Sequence, residues 1–275
     1  MNKIKKYTIY ICFLALFPSQ VFSQIHSLKD FTICNQCPKV IFEGQYPLST
    51  IKKHMKVSIN NHDLQITEVN YSPGLYTLPT KYGEFVGLNN GEWGGGLYLK
   101  PSNGDSIFVN GKIMKTSSRF EQASSFLNKS IEVVPNVTGK AIPIAYGNIY
   151  GLASFKEKLI FTSSSENLYE HLGTLSTISF ENGVKVTEVF RFNGIPLVMG
   201  ASDTSVYVAT TKGIYIFEEG LKQSFIKVID LSQSFPNSLV VLKPYLLAIG
   251  AVGGYYLVNL KNGQNDFYVL QNLKK

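Results

Sequence analysis

VYVATTKGIYIF, residues 206–217, decides how the rest of the chain is read. Two runs of Val, Tyr and Ile flank Thr-Lys-Gly, the pattern of two antiparallel strands joined by a tight turn. The same order returns in LLAIGAVGGYYLV (246–258) and, with a longer connection holding Gly173, in KLIFTSSSENLYEHLGTLSTISF (158–180). A fourth copy is EFVGLNNGEWGGGLYLK, residues 84–100.

The second strands of these units begin at Leu97, Leu175, Ile214 and Tyr255, at spacings of 78, 39 and 41 residues. The first gap is close to two repeats, and IEVVPNVTGKAIPIA (131–145) is where a degenerate unit would fall. KVSINNHDLQITEV (56–69) reads as a further hairpin turning at Asn60 and Asn61. A period near forty with about four short strands per period predicts an all-β, β-propeller-like fold. Five or six irregular four-stranded blades fit residues 56–275. Each blade buries both faces against its neighbours, so its strands are apolar nearly throughout. No strand–helix alternation occurs, which excludes a parallel α/β sheet. One helical insertion is predicted over 117–129, where Ser118 and Glu121 form a capping box and Phe120, Ala123 and Leu127 share a face.

Val206, Tyr207, Val208, Thr210, Gly213, Ile214 and Tyr215 resemble the repeat of bacterial sensor-type propellers, and 245–258 resembles it more loosely. GEWGGGLYLKP followed by IYGLASF is similar to a set of secreted bacterial propeller-like proteins without assigned activity. These resemblances imply a propeller fold and bring no catalytic residues.

The glycine-rich NGEWGGGLYL, residues 90–99, is not a phosphate loop. A Walker loop needs Lys-Ser/Thr leading into a helix, and a dinucleotide fingerprint also needs a helix, whereas Leu97, Tyr98 and Leu99 read as strand. A hairpin needs only glycines at its turn. Glu92 and Trp93 then sit on that turn, followed by Tyr98, and are candidate binding residues. The Trp93 indole either stacks on a sugar ring or a partner's aromatic side chain, or packs over a neighbouring blade. His171 is a fourth candidate, placed in the long turn SSSENLYEHLG beside Glu166 and Glu170.

The start of the chain has the form of a secretory signal peptide. Lys3, Lys5 and Lys6 precede an apolar run of about ten residues, and cleavage is expected after Ser23. Residues 24–55 then form an N-terminal segment carrying Cys34-Asn-Gln-Cys37. Pro38 follows the pair, which excludes haem attachment. Tetrahedral zinc has no second pair of ligands, and a redox site would need a helix at the first cysteine. A local Cys34–Cys37 disulfide in an oxidising compartment is the expectation. Loss of the signal lysines lowers the formal charge from +7 to +4, with 23 basic against 19 acidic residues. The basic residues are scattered, so nucleic acid is not an expected partner. No later segment is long and apolar enough to span a membrane as a helix.

None of His26, His54, His62 and His171 has metal-ligand spacing, and no nucleophile elbow or calcium loop occurs. No metal or cofactor is expected. The reading is an exported binding or scaffold module for a protein or glycan. The alternative is a secreted hydrolase or lyase with an axial active site assembled from several blades.

Overall fold

The computed structural model describes residues 25–26, 31–33, 53–61, 63–70, 74–89, 95–103, 106–115, 141–167, 170–181, 183–226, 231 and 235–270. Two short strands come first, β1 (Ile25–His26) and β2 (Phe31–Ile33). β3 (Lys53–Asn60) and β4 (Asp63–Asn70) pair as the hairpin expected at Asn60 and Asn61, and β1 adds to the β4 edge. The second sheet joins β5 (Leu75–Thr80), β6 (Gly83–Leu88) and β7 (Gly96–Pro101). A separate hairpin of β8 (Ser106–Val109) and β9 (Lys112–Lys115) follows, and β10 (Ile142–Tyr146) returns to the β7 edge.

Two sheets run in simple chain order. One comprises β11 (Asn148–Phe155), β12 (Lys158–Asn167), β13 (Glu170–Ser179) and β14 (Lys185–Arg191). The next comprises β15 (Pro196–Ala201), β16 (Val206–Thr210), β17 (Gly213–Phe217) and β18 (Gln223–Ile226). The last sheet contains β19 (Ser238–Lys243), β20 (Leu246–Ala251), β21 (Gly254–Asn259) and β22 (Gln264–Leu270), with β2 as its fifth strand. β2 pairs Phe31 with Leu270 and Ile33 with Tyr268, tying an early stretch of chain to a late one and covering an open edge.

Four apolar cores lie between consecutive sheets, and they explain the apolar runs. In β16, Val206 and Val208 pack with Phe155, Ile160 and Leu175 of the preceding sheet. The alternate residues Tyr207 and Ala209 pack with Leu247, Ile249 and Tyr256 of the following one. β17 repeats the division, with Tyr215 and Phe217 on one side and Ile214 and Ile216 on the other. The strand period of two is present but invisible as polarity, because both faces are covered. Phe85, Leu97 and Leu99 meet Ile149, Leu159 and Phe161 at an earlier junction, and Met55, Val57 and Ile66 meet Ala248 and Tyr255 at the last. The result is a propeller-like stack of antiparallel sheets, five of them with three or more strands among the described residues.

Two stretches differ from expectation. The long interval between Leu97 and Leu175 holds the β8–β9 hairpin and β10; the described part of 131–145 is an outer strand, not a further unit. Ile142 and Ile144 feed the same core as Phe85, and Pro143, which lacks an N–H, is tolerated on a sheet edge. The polar run 163–173 is largely strand, because β12 and β13 continue pairing out to Asn167 and Glu170. Serine and glutamate suggest a loop by composition, but an extended hairpin needs only its backbone paired. Ser163 Oγ and Thr174 Oγ1 even share a cross-strand hydrogen bond of 3.0 Å. The helix predicted over 117–129 lies outside the described residues.

The turn after β16 is fixed by Thr210, whose Oγ1 donates to the Gly213 carbonyl at 2.9 Å and accepts from Lys212 N–H at 3.2 Å. Thr80 does the same with Gly83 and Tyr82 between β5 and β6. Thr210 is fully buried while Thr80 is half-exposed. Thr210→Val should therefore cost about 1–2 kcal/mol in urea unfolding, and Thr80→Val less.

Candidate functional site

One cavity of about 400 Å³ lies where β5, β11, β15 and β19 begin, beside the middle of β3 and the end of β4. Each of the five larger sheets contributes: Lys56 and Val69 from the first, Gly74, Leu75, Tyr76 and Asn89 from the second, and Tyr150 from the third. The fourth gives Ile195, Leu197 and Thr211, and the last gives Phe235, Pro236 and Asn237. Backbone hydrogen bonds hold the rim in repeated fashion. Asn89 N–H donates to the Gly74 carbonyl at 2.8 Å, Thr211 N–H to Ile195 at 3.0 Å and Asn237 N–H to Gly250 at 3.0 Å. In each case the residue before a first strand is tied to the strand beside it.

The lining is mainly apolar and aromatic, with a few polar groups from Lys56, Asn89, Thr211 and Asn237. That is the composition of small-ligand sites, which span roughly 300–1,000 Å³. Lys56 is the only Lys, Arg, Asp, Glu or His among the described lining residues, and it is exposed. The arrangement can supply aromatic and aliphatic contact, amide hydrogen bonds and one positive charge. Among the described residues no three His, Cys, Asp or Glu side chains gather as a metal site would require.

A larger groove of about 780 Å³ lies where the first strands of the second and third sheets end, between the turn at Lys81 and Tyr82 and that at Lys156 and Glu157. It belongs to two sheets rather than five, and its charges are of both signs. Tyr82 stacks on Phe180 with centroids 4.1 Å apart, Lys81 Nζ sits 5.0 Å from the Tyr82 ring, and Lys156 pairs with Glu219 at 3.7 Å. Its groups already engage one another, and the cavity shared by all sheets is the stronger candidate.

Of the residues singled out in the sequence, Tyr98 is buried in β7, its ring against the Gly96 backbone, and is not part of the cavity lining. His171 lies in β13 with its Cα opposite Glu166, in the extended hairpin. Glu92 and Trp93 lie outside the described residues, as do Cys34 and Cys37. The stretch 90–94 connects Asn89, a lining residue, to Gly95. Lys56, Tyr76, Tyr150 and Asn237 escaped the sequence reading because each comes from a different unit. The available signal was positional, since they cluster where first strands begin.

His54, two residues from Lys56, is 4 % exposed, and burial pushes its pKa down to about 4 from 6.5. The imidazole is therefore neutral at pH 7. An unfolded chain binds the proton below pH 6.5, while the folded one resists until about pH 4, so stability falls as pH drops through that window. Between pH 7 and 5 the loss should be about 2 kcal/mol in urea titrations, and His54→Leu should flatten it.

Among the described residues no helix is long and apolar enough to cross a membrane. No protein-family model matches the chain, and no curated protein matches it. Among solved structures, virginiamycin B lyase from Staphylococcus aureus is similar at 10 % identity, covering 89 % of this chain and 74 % of that one, with a TM-score of 0.34. A streptogramin B lyase structure is similar at 8 % identity over 80 % of this chain and 70 % of that one, TM-score 0.35. The extracellular domain of a one-component system protein from B. thetaiotaomicron is similar at 16 % identity, TM-score 0.33; it covers 77 % of this chain, which spans 27 % of that one. The propeller assignment itself rests on the sheets and their interleaved cores.

Proposed function

We propose that this chain is an exported binding module whose ligand, a glycan or a segment of protein, enters the cavity at the start of the first strands. The observation that carries the reading is the convergence of all five sheets on one cavity of about 400 Å³ lined by Tyr76, Tyr150 and aliphatic side chains. Tyr76 and Tyr150 stand on strands of two packed sheets, and groups held on such strands lose little conformational freedom on binding. Export is supported by the signal-like first 23 residues, and the Cys34–Cys37 pair would be oxidised there.

The test is a panel of neutral and acidic oligosaccharides and short peptides titrated against the chain, read by calorimetry and by Trp93 fluorescence. Trp93 is the only tryptophan and stands four residues from Asn89 in sequence. At least one probe should bind with one-to-one stoichiometry, and Pro236→Trp, which adds bulk to the lining, should weaken it at least tenfold. Binding that ignores Pro236→Trp, or no binding across the panel, overturns the proposal.

A further inference from the structure

We infer that the cavity is built for a sugar bearing a single carboxylate, an inference that rests on the binding reading above. The geometry is a relay across the junction between the first and last sheets. Val57 N–H donates to Ser238 Oγ at 2.8 Å, and Ser238 O–H donates in turn to Asn237 Oδ1 at 2.7 Å. A hydroxyl has one proton, so that proton is committed to Asn237 and fixes the amide's acceptor end. The Nδ2 group, with two N–H donors, is left for the cavity that Asn237 lines. Lys56, adjacent to Val57 in β3, lines the same cavity and carries the one positive charge among its described lining residues.

The polar side of the site is thus a donor set with one positive charge. No Asp or Glu among the described residues lines the cavity to neutralise it. A carboxylate answers both features, since charge-assisted hydrogen bonds from Lys and amide N–H are stronger than neutral ones. One ammonium matches one negative charge, whereas a phosphate monoester carries up to two. The remaining lining, with Tyr76, Tyr150 and Leu197, offers aromatic and aliphatic surface to the C–H faces of a sugar ring. A cavity ringed by five sheets takes a terminal sugar unit more readily than the length of an extended peptide. Gly250 keeps the relay open, because a Cβ there would overlap Ser238 Oγ and lie 3.1 Å from Asn237 Oδ1.

The test titrates the full chain with trigalacturonate, with maltotriose as the neutral sugar, and with a tripeptide bearing a free C-terminal carboxylate. Trigalacturonate should bind at least tenfold more tightly than either, and its affinity should fall with added salt. Lys56→Met and Asn237→Asp, the latter keeping the acceptor for Ser238 but replacing its donors with an oxygen, should each weaken trigalacturonate at least tenfold. Lys56→Met should leave the thermal midpoint unchanged, since Lys56 is exposed. Equal affinity for the two sugars, indifference to both substitutions, preference for the tripeptide, or no binding of trigalacturonate each overturns the inference. The Pro236→Trp panel decides separately whether the cavity binds any ligand.

Discussion

Gly250→Ala is expected to destabilise the chain by about 3 kcal/mol or more, a large effect for one added methyl group. Gly250 lies in β20, opposite Ser238 of β19, where the last sheet meets β3 of the first. A Cβ at Gly250 would overlap the Met55 carbonyl oxygen, a backbone atom anchored by residues that are themselves buried. It would also displace Ser238 and with it the hydrogen bond to Val57. The Met55 oxygen is backbone, so relief requires moving one sheet away from another. The same device recurs around the stack. Gly87 faces Ile149, Gly151 faces Met199 and Gly200 faces Leu239, each across a junction between neighbouring sheets. At Gly87 the nearest obstacle is Ile149 Cγ2 at 2.6 Å, a side-chain methyl, so Gly87→Ala should cost less than Gly250→Ala. Gly220→Ala is the control. It has open space around it and φ of +72°, and should lose only about 1–2 kcal/mol from backbone strain. Urea midpoints for the three variants give the order directly.

These glycines show what a sequence conceals. Gly87, Gly151, Gly200 and Gly250 sit inside strands, where a glycine suggests a bulge or a turn, and only the neighbouring sheet reveals its purpose. The strands themselves were legible. Residues 206–217 and 246–258 occupy β16–β17 and β20–β21, equivalent central pairs of adjacent sheets, as the forty-residue period requires. The period blurred where an insertion entered, because the β8–β9 hairpin adds length without adding a four-stranded sheet. The candidate site was barely legible. Lys56 and Asn237 are 181 positions apart, and their chemistry becomes joint only when β3 packs on β19 and Ser238 bridges to Val57. Local motifs draw attention to dense stretches such as 90–99, while a site assembled from one or two residues per unit leaves no dense stretch to notice.

Phe192→Ala should cost about 4 kcal/mol, because it removes the centre of an aromatic cluster between the third and fourth sheets. Phe192 follows β14 and is 1 % exposed. Its ring centroid lies 5.4 Å from Phe190, 5.0 Å from Tyr215 and 6.0 Å from Phe217, all in edge-to-face arrangement. Tyr215 and Phe217 belong to β17, so the ring that Phe192→Ala deletes is shared by two sheets. Its backbone is also held, with Phe192 N–H donating to the Gly173 carbonyl at 2.8 Å, so the chain cannot readily slide to fill the void. Tyr146, which is 69 % exposed, provides the contrast: Tyr146→Ala should change stability by less than about 0.5 kcal/mol. If the sheets are held together mainly by such shared side chains, Phe192→Ala and Phe217→Ala will not add. The second truncation enlarges a cavity already made, and the double variant should depart from additivity by about 1 kcal/mol. A loss under about 1 kcal/mol for Phe192→Ala alone would mean that the ring is not enclosed between two sheets, and the interleaved packing that defines the fold would be wrong at that junction.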